Sequence, residues 1–385
     1  MRSEKSNRIK VRIGIDATAL PQQPVGAGNY IIQLIRALVK ANFDHQLVIY
    51  TQQHSPDLIN LPADAEVEWR IVSDMTPGFR LVWEQTSFPG LIRRDKVNLL
   101  HSLHYTKPLR LQCASVVTFH DMTFFLYPQL HTRARRLFFP PMMKLSAKQA
   151  DEIVTVSEST RRDVIRLLGV DPDKVSTTQL GVDASFRVID DLQAKKVIVT
   201  KYDLPEEFIL YLGTIEPRKN LPLLMRAYRL LVDSGTRLKL ILVGKYGWMY
   251  QEVFNLVSEL NLEDMVRFTG YIPQDELPLV YNLASLFVYP TIYEGFGIPV
   301  LEAMACGVPV ISSDIASLPE IVGEAGILVP AGDLGAYFSA MKLVTDDQDL
   351  RGKLIDQGKL RASEFSWERT AQLTQQVYQK VLQNC

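Results

Sequence analysis

The stretch YPTIYEGFGIPVLEAMACGVPVISSDIASLPEIVGEAG, residues 289–326, carries two carboxylates, Glu294 and Glu302, with seven residues between them and a Gly295-Phe296-Gly297 turn in the gap. Pro299 falls where the first turn of a helix should start, a position at which its missing N–H costs nothing. A loop feeding a helix N-terminus leaves backbone N–H groups free and points partial positive charge outward, which suits a diphosphate or an array of sugar hydroxyls. Glu302, three residues past Pro299, is expected in the first helical turn beside the same crevice, so that both carboxylates face one ligand. A second constellation, ILYLGTIEPRKNLPLLMRAY at 209–228, is an apolar strand ending at Gly213 with Arg218 and Lys219 just before a helical period. Arginine offers a bidentate fork and lysine a point charge, so the pair can neutralise charge growing on a departing nucleotide. The plainer alternative is a solvated charge pair beside an Asn220 N-cap.

In the first half, IDATALPQQPVGAGNYIIQLIRAL sets Gly26 and Gly28 between a strand and a helix. The third glycine of a G-x-G-x-x-G fingerprint is replaced by Ile31, which argues against a nicotinamide enzyme. SVVTFHDMTFF places His120 and Asp121 at a strand end, and the crevice outside strand C-termini is where parallel sheets bind ligands. Residues 122–150 hold five Lys or Arg and no acid, interleaved with aromatic and aliphatic side chains. They suit either an anionic membrane surface or a solvated helix, and Pro140-Pro141 is expected to break any single long helix there. Asp171-Pro172-Asp173 reads as a cap or turn rather than a metal motif, and His101 and His104 lack a nearby carboxylate or cysteine partner. No metal site is expected.

The elements that must position these groups follow a repeated pattern of apolar run, polar or glycine-rich break and helical period, which is βαβ with parallel strands. Runs at about 11–15, 46–50, 97–101, 115–119 and 153–156 read as strands, with a first crossover helix over 29–40. A second series lies at about 208–213, 239–243, 266–268, 286–289, 309–312 and 326–329. The polar stretch between the two series, about 180–205, reads as an interdomain linker. The last segment, SWERTAQLTQQVYQKVLQNC, reads as a helix capped by Ser366, with a buried stripe through Leu373, Val377 and Val381.

Forty-two basic and forty-three acidic side chains in 385 residues leave a net charge of −1, with no global field for nucleic acid. Cys113, Cys306 and Cys385 are odd in number and widely spaced, which points to a reducing compartment. The N-terminal apolar stretch is interrupted by Arg12 and Asp16 and reads as a strand rather than a signal sequence, so a cytoplasmic chain is expected, with peripheral membrane contact through 122–150 left open.

The 289–326 stretch closely resembles the signature of family four retaining glycosyltransferases: two glutamates with seven residues between them, Gly-Phe-Gly, and a following A-x-G-x-P-V-I. The resemblance implies an α/β GT-B architecture, two Rossmann-like domains facing each other across a cleft. Residues 1–190, with a returning helix at 367–385, would bind the acceptor, and 191–366 the nucleotide sugar. It also implies roles. Glu294 would contact the donor-sugar hydroxyls and Glu302 the ribose; Arg218 and Lys219 would bind the donor phosphates, with Gly213 permitting close approach and Gly295, Phe296 and Gly297 lining the site. His120 would lie near the transferred sugar, and Gly26 near the donor phosphate, with Gly28 and Asp121 on the acceptor side. The implied activity is metal-independent hexosyl transfer from UDP-glucose or GDP-mannose to a glycan or lipid-linked saccharide, by a front-face route. An epimerase or phosphorylase on a similar scaffold, or a non-catalytic sugar-nucleotide-binding partner in an assembly complex, are the alternatives.

Overall fold

The computed structural model describes residues 11–41 and 45–384. Cys385 lies outside them, as does the basic N-terminal decapeptide. The chain divides into two compact units, one running to Leu180 and taking up the chain again from Trp367, the other spanning Gly181–Ser366. The division falls at 180/181, not at 190/191. The stretch expected to be a linker contains a helix, Leu192–Tyr202, which Asp191 caps by accepting a hydrogen bond from the Ala194 N–H.

The first unit is built on strands β1 (Arg12–Asp16), β2 (Gln46–Gln52), β3 (Val67–Val72), β4 (Leu99–Ser102), β5 (Ala114–Phe119), β6 (Glu152–Thr155) and β7 (Val175–Thr177). They pair in parallel in the order β3-β2-β1-β4-β5-β6-β7. β4 and β5 are buried at every position, as strands covered by helices on both faces must be. β3 escaped the reading of apolar runs because it alternates Val67, Trp69 and Ile71 with Glu68 and Arg70, the pattern of a half-covered edge strand. β7, three residues long, gave no run at all. The helix Ala27–Lys40 buries Tyr30, Ile31, Leu34, Ile35 and Leu38 at three- and four-residue intervals. The final helix, Trp367–Gln383, packs against it and joins this unit.

The second unit holds β8 (Phe208–Leu212), β9 (Lys239–Val243), β10 (Val266–Gly270), β11 (Ala284–Tyr289), β12 (Val310–Ser313) and β13 (Ile327–Val329), parallel in the order β10-β9-β8-β11-β12-β13. In each sheet the strand order reverses once, between β1 and β4 and between β8 and β11. At such a reversal the loops leaving the two strand C-termini run in opposite directions and open a crevice for ligands.

Pro140 and Pro141 do not break the basic segment. They sit inside one continuous helix, Arg133–Gln149, whose buried residues include Met143, Ser146 and Ala147. Each proline removes one backbone hydrogen bond, and packing of the far face holds the helix together across the gap.

Candidate active site

At the β8/β11 reversal two loops meet. The first leaves β8 at Gly213, whose φ is +155°, and a Cβ there would come within 2.8 Å of the Tyr211 hydroxyl. Across from it, a Cβ on Gly244, at the end of β9, would lie 2.0 Å from the Gly213 carbonyl, so neither position admits a side chain. The chain then makes a single 3-10 turn, Pro217–Lys219, that presents Arg218 and Lys219. The second loop leaves β11 at Tyr289, and the Ile292 N–H donates to the Arg218 carbonyl at 2.9 Å, stitching the two loops together.

Glu294 is delivered directly onto the cations. Its Oε1 lies 2.5 Å from Lys219 Nζ and 2.8 Å from Arg218 Nη1, and receives Thr291 Oγ1 at 3.0 Å and the Tyr289 hydroxyl at 3.2 Å. Burial alone would raise the carboxyl pKa; Arg218 and Lys219 outweigh it and hold Glu294 down at about 2. Lys219, 6% exposed, is pulled down by burial against the opposing pull of Glu294, and its ammonium donates to both Glu294 and the Tyr289 hydroxyl. A second carboxylate, Glu216, takes Arg218 Nε at 3.1 Å and Nη2 at 3.0 Å. The two cations are therefore matched by two carboxylates, whereas the sequence pointed to a bare cationic pair.

Gly297 is the N-cap of the helix Ile298–Ala305. Glu302 is the fifth residue of that helix, one turn deeper than the first turn expected for it. It accepts from the Tyr281 hydroxyl at 3.0 Å and from Gln274 Nε2 at 3.3 Å. Burial raises its pKa to about 7, against those two hydrogen bonds. Gly295 and Phe296 are both buried in the loop. Phe296 does not face outward: it is 4% exposed and meets the Phe365 ring edge at 6.1 Å, an anchor for the turn. Ser317 Oγ fixes the same turn, donating toward the carbonyls of Glu294 and Phe296. Asn220 is the N-cap residue of the Leu221–Asp233 helix, in a left-handed conformation, and its side chain donates Nδ2 to the Ala331 carbonyl instead of capping.

In the first unit, Gly26 takes φ +50° at the N-terminus of the Ala27–Lys40 helix, with open space where a Cβ would be. Gly28 has a packing role, since its Cβ would press within 3.0 Å of Pro24 and 3.2 Å of Pro21. His120, after β5, is 9% exposed; its Nε2 is 2.8 Å from the Leu103 carbonyl and Tyr30 meets its ring edge-on at 4.9 Å. Burial lowers its pKa, so the ring is neutral, and donation to Leu103 assigns the proton to Nε2 and leaves Nδ1 an acceptor. Asp121 turns back on its own chain, accepting from Thr123 N–H and Oγ1. Both bonds use Oδ1 and close a local turn. His101 is a core residue, bonded through Nδ1 to the Tyr378 hydroxyl at 2.7 Å and through Nε2 to Thr118 Oγ1 at 2.8 Å. Asp171 accepts from the Asp173 N–H as a turn cap.

Sequence reasoning missed Glu216, Tyr289, Thr291, Tyr281, Gln274 and Ser317. Glu216 stood in plain view two residues before Arg218, and an acid beside a cation pair is the signal that could have found it. Tyr289, Thr291 and Ser317 lie within the 289–326 stretch, and with Tyr281 and Gln274 they reach the site only through the fold.

Comparison with known proteins places this geometry in a family. Residues 24–186 match Glycosyltransferase Family 4, and residues 194–361 match Glycosyl transferases group 1. O-antigen chain mannosyltransferase B of Escherichia coli is 37% identical over 289 residues, covering 74% of this chain and 75% of that protein. O-antigen chain mannosyltransferase RfbU of Salmonella typhimurium strain LT2 is 28% identical over 337 residues, covering 85% of this chain and 89% of that one. The solved sucrose-phosphate synthase of Thermosynechococcus elongatus matches with a TM-score of 0.78 at 22% identity, over 98% of this chain and 100% of that chain, a likeness of fold. With a cation pair and two signature glutamates at the reversal of its second sheet, this chain belongs to glycosyltransferase family 4 and has the GT-B fold.

Proposed function

We propose that this chain transfers mannose, with retention of anomeric configuration, from GDP-mannose to a glycan or lipid-linked saccharide in the assembly of an envelope polysaccharide. The observation that carries the reading is the Arg218, Lys219 and Glu294 cluster at the β8/β11 reversal, where a sugar nucleotide can set its diphosphate on the cations and its sugar on the carboxylate. Two relatives named O-antigen chain mannosyltransferases favour mannose over glucose and a polysaccharide acceptor over a small metabolite.

Transfer requires the anomeric C–O bond to ionise, and the charge that develops falls on the leaving diphosphate. Arg218, Lys219 and the positive end of the Ile298–Ala305 helix stabilise that charge. Protein cations perform the task that a metal performs elsewhere, so the reaction is metal-independent. Glu302 takes the ribose hydroxyls. His120 offers Nδ1 as an acceptor for a substrate hydroxyl. The route is front-face, the acceptor hydroxyl entering on the side from which the nucleotide leaves.

Peripheral membrane contact belongs to the same reading. Arg133, Leu137, Pro141, Lys144 and Lys148 follow one another at three- or four-residue intervals along one exposed face of the Arg133–Gln149 helix. Leu137 is 79% exposed. A lipid surface bearing anionic headgroups would take both the charges and the leucine. The test of the proposed activity is a panel of sugar nucleotides offered with a lipid-linked saccharide acceptor. Nucleotide release coupled to mannosyl transfer is expected from GDP-mannose, and transfer from UDP-glucose alone would reassign the donor.

A further inference from the structure

The geometry points to a second task for Glu294: we propose that its carboxylate discriminates against unglycosylated nucleotide, opposing a bare nucleoside diphosphate on Arg218 and Lys219 and giving way only to one that brings a sugar. The inference rests on reading the site as a sugar-nucleotide clamp.

Three observations carry it. A single oxygen of Glu294 lies within 2.8 Å of Arg218 and 2.5 Å of Lys219, so the carboxylate competes with a diphosphate for these cations. With Glu216 also on Arg218, the four side chains sum to no net charge. The hydroxyls of Tyr289 and Thr291 flank the same oxygen, a hydrogen-bonded cradle that favours this arrangement until a ligand competes for it.

A nucleoside diphosphate that binds here must bring its negative charge against Glu294, in a buried place where like charges repel strongly. A sugar nucleotide brings hydroxyl donors as well, and these satisfy the carboxylate once the phosphate has taken the cations. When the sugar has been transferred those donors leave with it. Glu294 then returns to Arg218 and Lys219, and the nucleotide product is expelled. Glu216 is the internal control: it contacts Arg218 from the Nε side. It opposes any phosphate, with or without a sugar.

Titration calorimetry tests this with GDP against GDP-mannose and UDP against UDP-glucose. In Glu294→Gln the bare nucleotide should bind at least tenfold tighter and the sugar nucleotide no tighter, so the preference for the sugar nucleotide falls by that factor. In Glu216→Gln both should tighten alike and the preference should stay. Glu294→Ala carries the same expectation for the bare nucleotide should the glutamine variant fail to fold. Unchanged or weaker nucleotide binding in the folded Glu294 variants, or an equal gain for both ligands, overturns the inference while leaving the clamp intact. If wild type binds neither pair, the clamp reading falls and this inference with it.

Discussion

Lys219 and Glu294 depend on each other. A buried ammonium is tolerated only where a carboxylate and further hydrogen bonds meet it, and deleting one partner of such a pair costs about 3–5 kcal/mol. Arg218→Ala and Lys219→Ala are each expected to lower kcat/KM by about a hundredfold or more, since each removes a donor from the charge that develops on the leaving group. Steady-state kinetics on variants verified as folded by circular dichroism checks this; wild-type rates in the double variant would remove the clamp from the mechanism. Glu302 supplies a pH dependence. Its pKa is about 7 in the fold and near 4.5 when exposed, so the unfolded chain binds fewer protons between those values, and stability from this group falls as pH rises through that window. Ribose hydroxyls prefer the ionised carboxylate. Donor affinity should therefore rise up to about pH 7 and level off above it, and Glu302→Gln should flatten the profile in calorimetry. These four charged residues were legible in the sequence because carboxylates beside a glycine turn and cations beside a strand end announce their chemistry. Tyr289 and Thr291 were not: a tyrosine ending an apolar strand looks like core, and only the pairing of β8 with β11 turns it onto the clamp.

At the scale of elements, a continuous apolar run was a sufficient guide to strands buried on both faces and a poor one to edges, which is why β3 and β7 went unread. The prolines at 140 and 141 misled for a related reason. Local propensity opposes a helix there, and tertiary packing of Met143 and Ala147 overrides it. The exposed face of that helix gives a prediction: Arg133→Ala, Lys144→Ala and Lys148→Ala combined with Leu137→Ser should reduce binding to phosphatidylglycerol vesicles at least tenfold and leave binding of a sugar nucleotide unchanged. Cosedimentation measures it, and equal binding by wild type and variant would count against membrane contact. The final helix is tied to the first sheet through Tyr378 and His101. Tyr378→Phe leaves a buried imidazole nitrogen without its partner, at an expected cost of about 1–3 kcal/mol in denaturant unfolding. An unchanged midpoint would show that the bond contributes nothing.

The whole molecule is two parallel-sheet units, and the chain visits the first unit twice, at its beginning and through the Trp367–Gln383 helix. The twofold βαβ pattern is visible in the sequence, whereas the boundary lies ten residues before the one the polar stretch suggests, and part of that stretch folds as the Leu192–Tyr202 helix. A net charge of −1 gives the chain no global field for anionic ligands, so the proposed function needs Arg218 and Lys219 to meet them locally. Protein cations acting in place of a metal should sustain transfer in excess EDTA; loss on chelation, restored by a divalent ion, would contradict it. The central claim is sugar transfer with retention, and the anomeric configuration of the product tests it most directly. Proton NMR of the saccharide formed from GDP-mannose, whose mannose is α-linked, should show a new α-mannoside appearing with stoichiometric GDP. A β-linked product, or no transfer from any sugar nucleotide by the folded protein, would contradict the account.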